Sequence, residues 1–436
     1  MTADDPRITE DARPDPPVIY RWAVLFFVSV AMFGNYYVYD SIAPVADVLK
    51  AQLGFSDSML GTMNAIYSAP NIIMVLIGGI IIDRIGTRRS TLLFAVLCLI
   101  GAIVTVSSGE FYVMAAGRLI FGLGAESMIV AVTTALARWF RGKELSFAFG
   151  LNLTLARLGS FAADWSPTWA AGAFDQWRGP LLIALVFAVV SAIGAAVYWI
   201  LEASAENRYA VKKVDETEKP SIGALFRFGR SYLYVVALCV TFYSAVFPFR
   251  TFAIKFFMEY HGATRPEGGQ LNSILILFAM FCTPLFGLLV DRVGKRALFM
   301  MYGSLLMVPV YLLLIYSGLP LWVPMGLLGI AFSLIPAVMW PSVAYIVDEK
   351  RLGTAYGLMT MIQNIGLAGF NWVIGGVNDL AGASAQNPAG HIPGMWVFSI
   401  LGLLGFFFAW MLRREETGPN AHGLETITAG SNESGA

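Results

Sequence analysis

The run Gly79-Ile-Ile-Ile-Asp83-Arg84-Ile-Gly86-Thr-Arg88-Arg89 returns as Gly287-Leu-Leu-Val-Asp291-Arg292-Val-Gly294-Lys295-Arg296, every shared position displaced by 208 residues. Each copy follows one long apolar stretch and precedes another, so each reads as a short charged turn between two membrane helices. Two copies at equivalent turns mark an internal duplication. A second match supports it: Phe149-Gly150-Leu151 and Tyr356-Gly357-Leu358 lie 207 residues apart.

Of the 436 residues, 57% are hydrophobic and 13% charged, and the mean hydropathy is +0.67, which excludes an ordinary soluble domain. About 20 apolar residues cross the hydrocarbon core as a helix. Twelve stretches qualify: 20–47, 58–82, 90–108, 111–139, 143–172, 179–201, 231–259, 269–290, 297–317, 320–347, 352–379 and 394–412. The expected fold is therefore an all-α membrane protein with twelve transmembrane helices in two pseudo-symmetric six-helix bundles, 20–201 and 231–412. A polar linker (202–230) joins them, and disordered tails (1–19 and 413–436) flank them. Cys98, Cys239 and Cys282 sit singly in apolar segments, so no metal site or disulfide framework is expected. No glycine loop leads into Lys-Ser/Thr, so no nucleotide, no other cofactor and no enzymatic activity are expected.

Basic residues favour the cytoplasmic side of a membrane. Of the 29 lysines and arginines, only Lys50, Arg178 and Arg265 fall on the side opposite the termini, which predicts cytoplasmic termini. Arg118, Arg157, Arg250 and Lys255 lie within spans. A charge near the bilayer centre costs about 3 kcal/mol on insertion scales, so it persists where a partner or an aqueous cavity receives it. Glu126 and Arg157 fall mid-span on consecutive, antiparallel helices and can meet at one depth. Two readings stand: a static ion pair that locks the bundle, or two poles that separately receive a dipolar substrate.

The duplicated loop resembles the signature loop of the major facilitator superfamily, and Gly117-Arg118-x-x-x-Gly122-x-Gly124 resembles that family's fourth-helix motif. Within the superfamily the chain resembles the lysosomal dipeptide transporter branch. The resemblance rests on Gly122-Leu-Gly-Ala-Glu126-Ser127, Trp139-Phe-Arg-Gly-Lys143-Glu144-Leu and Ala156-Arg157-Leu-Gly159-Ser160, and on Leu352-Gly-Thr-Ala-Tyr-Gly357 with Gln363-Asn364. Looser matches are Tyr39-Asp40, Tyr67-Ser-x-Pro70-Asn71, Val246-Phe-Pro248-Phe with Lys255, and Trp340-Pro341. It implies two bundles rocking about a central site that carries dipeptides by facilitated diffusion. Glu126 would receive the ammonium and Arg157 the carboxylate, with Tyr67, Lys255, Trp340 and Asn364 as further wall residues. Asn364 also lies 207 residues after Arg157, as its pseudo-symmetric mate. Arg250 departs from the pattern and adds a positive charge to the expected site.

The remaining polar positions point to conformational roles. Asp83, Arg84, Arg88, Asp291 and Arg292 are expected to latch cytoplasmic helix ends and to set rate rather than substrate choice. Asp40 is a gate or protonation residue, and Arg118 a gating residue unless it snorkels outward. Asp164 is expected near solvent with a structural or gating role. Rival readings are a proton-coupled carrier of organic anions or drug-like compounds, with Arg118, Arg157, Arg250 and Lys255 as an anion clamp, and a non-transporting membrane partner. The expected partners are a small zwitterion or anion and the lipid bilayer, with no nucleic acid, in a monomer. No Asn-x-Ser/Thr occurs in a predicted outer loop and the tails are short, so a bacterial inner membrane without a glycosylated accessory subunit is expected.

Overall fold

The computed structural model describes residues 14, 16–140, 145–209, 228–348, 351–419 and 421–428. The N-terminal half comprises α1 (Val18–Asp40), α2 (Ile42–Leu53), α3 (Asp57–Ile85), α4 (Thr87–Ser107), α5 (Phe111–Phe140), α6 (Leu145–Asp164), α7 (Ser166–Trp169) and α8 (Arg178–Arg208). The C-terminal half comprises α9 (Arg230–His261), α10 (Arg265–Val293), α11 (Arg296–Tyr316), α12 (Trp322–Ile346), α13 (Leu352–Leu380) and α14 (Ile392–Glu416). With α1 and α2 forming one span, six membrane-length helices stand in each half. Among the described residues, nine spans meet a strict criterion of length and hydropathy.

The duplicated loop shows why its glycines recur. Gly86 ends α3 at φ 82° and Gly294 ends α10 at φ 69°, a left-handed turn that lets one helix stop and the next start within a residue or two. The first span is broken at Ser41, because Pro44 in the first turn of α2 has no N–H for the carbonyl of Asp40. Arg118 donates to the carbonyls of Val38 and Tyr39 beside this break, each at 3.1 Å.

Packing of the halves is one-sided. On the far face, opposite the start of α1 and the end of α14, α3 lies along α13. Gly61 meets the carbonyl of Asn371 and Gly375 that of Asp57, contacts a methyl group would block. The apolar core that joins the halves takes N-terminal residues only from far helix ends, such as Ile42, Leu49, Met63, Val106, Met114 and Leu181. Near the termini, Val24, Val28, Phe94, Leu136 and Phe140 form a cluster of the N-terminal half alone.

Three expected boundaries need correction. The fifth span stops at Asp164 and turns at Trp165 instead of continuing to 172. Residues 202–208, read as linker, extend α8, since Glu202 and Glu206 are held by Arg138 at 2.5 and 3.1 Å. The C-terminal tail is docked over 421–428: Leu424 is fully buried, and the Glu425 carboxylate accepts from the N–H groups of Ala297 and Leu298 at 2.9 and 3.3 Å. Glu425 thus caps α11, whose own cap residue, Lys295, has no side-chain acceptor to offer.

Candidate functional site

Two polar layers separate the halves. The first is a seam at the far face. Arg250 on α9 donates to Asp40 at 3.1 Å and to Asp164 at 2.7 Å, and Asn272 on α10 reaches the second oxygen of Asp164 at 2.8 Å. Lys255, one turn further along α9, contacts Asp57 at 2.5 Å and Glu259 at 3.2 Å. His391 joins Glu259 at 2.8 Å. Asp379 accepts from the N–H groups of Asp57 and Ser58 at 2.8 and 2.7 Å, capping α3 from the opposite half. Arg265 and Asp47 close the rim at 2.6 Å.

This seam corrects several expectations. Arg250 and Lys255, expected as walls of a substrate site, are buried and ion-paired in this seam. Asp164 is fully buried rather than near solvent. Asp40, at the end of α1, is buried in the seam against Arg250. Arg118 does not snorkel: it is 1% exposed, bound to the first-span carbonyls and to Asn64 at 3.2 Å, and it stacks over Tyr67 and Phe121 at 5.3 Å each. It fastens α5 to the break in the first span, beside the seam.

The second layer lies at mid-height, where Glu126 and Arg157 are half-buried. Glu126 on α5 and Arg157 on α6 do not pair. Glu126 accepts from the Tyr67 hydroxyl at 3.4 Å. Arg157 crosses to the other half and donates through one nitrogen to the carbonyl of Ala279 at 2.6 Å and to the Thr283 hydroxyl at 3.2 Å. Tyr36 stands within electrostatic reach of both charges. Tyr243 approaches Arg157 from the other half and accepts from Trp340 Nε1 at 2.9 Å. Trp340 in turn stacks on Tyr356 at 5.9 Å, and Phe247 stacks on Tyr243 at 5.6 Å. Among the described residues the layer is therefore one anion and one cation, each without an opposite charge in contact, set among aromatic rings. Of the expected wall residues, Tyr67 contacts Glu126 and Trp340 contacts Tyr243. Asn364 is 2% exposed and turns its amide back to the carbonyl of Thr360 at 3.0 Å.

Tyr36, Tyr243 and Thr283 were not singled out from sequence. For the tyrosines a signal existed, since they are 207 residues apart, the spacing of the second repeat match.

On the near side the two loop copies have different partners. Arg88 pairs with Glu206 of α8 at 2.7 Å. Its repeat mate Arg296 pairs with Asp291 at 3.0 Å, donates to the carbonyl of Ile427 at 2.6 Å and covers the ring of Tyr345 at 4.5 Å. Arg84 and Arg292 are exposed. The side chain of Asp83 lies outside what is described.

Comparison with known proteins follows the same division. The family model of the Major Facilitator Superfamily matches residues 25–252 and again 251–431. The chain is 32% identical over 378 residues to the lysosomal dipeptide transporter MFSD1 of Danio rerio, covering 84% of this chain and 82% of that one. It is 32% identical over 376 residues to the human protein of that name, covering 83% and 81%. A hexuronate transporter of Escherichia coli is 22% identical over 414 residues, covering 89% and 93%. Among solved structures, the nucleoside transporter NupG superposes with a TM-score of 0.69 at 13% identity, covering 90% of this chain and 98% of that one. A bacterial homologue of the lysosomal transporter Spinster, inward-facing and occupied, superposes at 0.70 with 16% identity, covering 92% and 98%.

Proposed function

The chain belongs to the major facilitator superfamily, whose members are transporters and not enzymes, and we propose that it carries small zwitterions, dipeptides in particular, by alternating access. The observation that carries this reading is the separation of Glu126 from Arg157. Two opposite charges brought to one depth at this cost would pair if their task were to lock the bundle. Instead each is held by neutral partners, Glu126 by Tyr67 and Arg157 by Ala279 and Thr283 of the other half. A dipeptide carries an ammonium and a carboxylate several ångströms apart; Glu126 would take the first and Arg157 the second, while the aromatic rings tolerate varied side chains. The dipeptide activity named for the relatives supports this choice of substrate.

The anion-clamp reading is weakened, because it drew on Arg250 and Lys255, both committed to carboxylates of the seam, and on Arg118, committed to backbone carbonyls. We further propose that both termini are cytoplasmic in a bacterial inner membrane and that the chain works as a monomer. The closed far-face seam then describes an inward-facing state, with Asp40, Asp164, Arg250, Asp57 and Lys255 as its outer gate.

The test is counterflow of labelled alanyl-alanine in proteoliposomes. Wild-type exchange that Glu126→Gln and Arg157→Ala each lower at least about tenfold, and that end-blocked peptides fail to inhibit, supports the reading. A wild type silent beside an active control carrier sinks it.

A further inference from the structure

Hydroxyls inside helices usually spend their proton on the carbonyl four residues back. Thr62, Thr105, Thr251, Ser333 and Ser342 do so here, at 2.7–3.2 Å. Thr283 does not. Its carbonyl four residues back is that of Ala279, and Arg157 has taken it at 2.6 Å. The Thr283 oxygen meanwhile accepts from the same Arg157 nitrogen at 3.2 Å. Among the described residues the Thr283 proton has no acceptor. The next residue, Pro284, lacks an N–H and so loosens this turn of α10. At mid-height the C-terminal half therefore presents a free hydroxyl donor beside a guanidinium of the N-terminal half.

We propose that Thr283 is the specificity-determining residue through which the C-terminal half binds a substrate carboxylate. The inference rests on the reading of Arg157 as the carboxylate pole and extends that pole to a second residue and to the other half. One carboxylate oxygen accepts from the free Arg157 N–H groups and the other from the Thr283 hydroxyl. An amide in the same place keeps the carbonyl acceptor, loses the charge, and turns a donor toward a donor. The carboxylate end thus ties α6 to α10, so a ligand with a free C-terminus bears directly on the contact between halves.

The experiment compares wild type, Thr283→Val and Thr283→Ser, with alanyl-alanine, alanyl-alanine amide and N-acetylalanine as probes. Two readouts are used on the full-length chain: half-saturation of counterflow, and ligand-induced thermal stabilisation of purified protein. Val is isosteric and removes the hydroxyl, both the donor and the acceptor that Arg157 uses at 3.2 Å, whereas Ser keeps both. The expected result is a half-saturating alanyl-alanine concentration about tenfold higher in Thr283→Val, an unchanged maximal rate, and a free-acid over amide preference reduced by the same factor. Thr283→Ser restores both values, which a merely structural role of the methyl group would not. Equal losses toward acid and amide in Thr283→Val, or no change, overturn the proposal. If dipeptides neither exchange nor stabilise the wild type but N-acetylalanine stabilises it and Thr283→Val removes that effect, the dipeptide reading fails while this inference stands. If no free carboxylate stabilises the wild type, both fall.

Discussion

Arg250 and Arg157 lie on facing helices, are both charged and both reach across the halves, yet their surroundings are opposite. Arg250 is 3% exposed and meets two carboxylates, and Asn272 supports one of them. Arg157 is half-buried and meets one carbonyl and one hydroxyl, both neutral. A buried ion whose opposite charges are already present holds structure, whereas one left with neutral partners retains the capacity to bind an ion that arrives. The position of a charge in a span does not separate these cases; its partners do.

Removing Arg250 should produce the largest effect. Arg250→Ala leaves Asp40 and Asp164 buried without their cation, a loss of about 3–5 kcal/mol from the closed seam. The resulting shift toward an open far face is read by an impermeant thiol reagent on Ala43→Cys, a position beside Asp40 and Arg250, in a background lacking Cys282. Labelling should rise at least a hundredfold. Labelling no faster than in the parent would erase the distinction between the two arginines.

The mid-height charges should behave in the reverse sense. Glu126→Gln and Arg157→Ala each remove one charge-assisted contact to substrate, about 1.5–3 kcal/mol, and exchange should fall about 10- to 150-fold while Ala43→Cys labelling stays near its parent value. A large rise in labelling with either variant would move that charge into the seam class.

How far the sequence reached follows the same line. Twelve apolar runs and a repeated loop write the fold directly, because hydrocarbon admits helices and little else. Glu126 and Arg157 were legible because a charge in an apolar run is conspicuous. The partners of Arg250 and Lys255 were not, since Asp40, Asp164 and Asp57 lie 210, 86 and 198 residues away and no local pattern links them. Thr283 is neutral and common in membrane helices, and only the occupied carbonyl of Ala279 sets it apart. The docked tail escaped for a different reason: its polar composition reads as disorder, while its order depends on one buried leucine and on a cap supplied to a helix 128 residues earlier.

That cap gives a smaller effect. Glu425→Ala uncovers the first N–H groups of α11 and should cost about 1 kcal/mol, seen as a modestly lower unfolding temperature and faster deuterium uptake at Ala297 and Leu298. Transport at saturation should be nearly unchanged, since the cap lies within the C-terminal half and not between the halves.

The two loop copies sharpen the comparison at its weakest end. Arg296 has a redundant set of partners in Asp291, Tyr345 and the docked tail, while Arg88 relies on Glu206, an exchange of one shared motif for two different environments. Asp291 is 57% exposed, so its pair is screened and worth less than about 1 kcal/mol. Asp291→Asn should therefore change the exchange rate by less than a factor of about five and leave half-saturation alone. Arg88→Ala, which takes one of two cations, Arg88 and Arg138, away from Glu206, should slow exchange more than Asp291→Asn does. Both effects should diminish in high salt, where the buried Arg250 network is hardly touched, and an Asp291→Asn effect that survives high salt would mean the second loop is gripped as tightly as the seam.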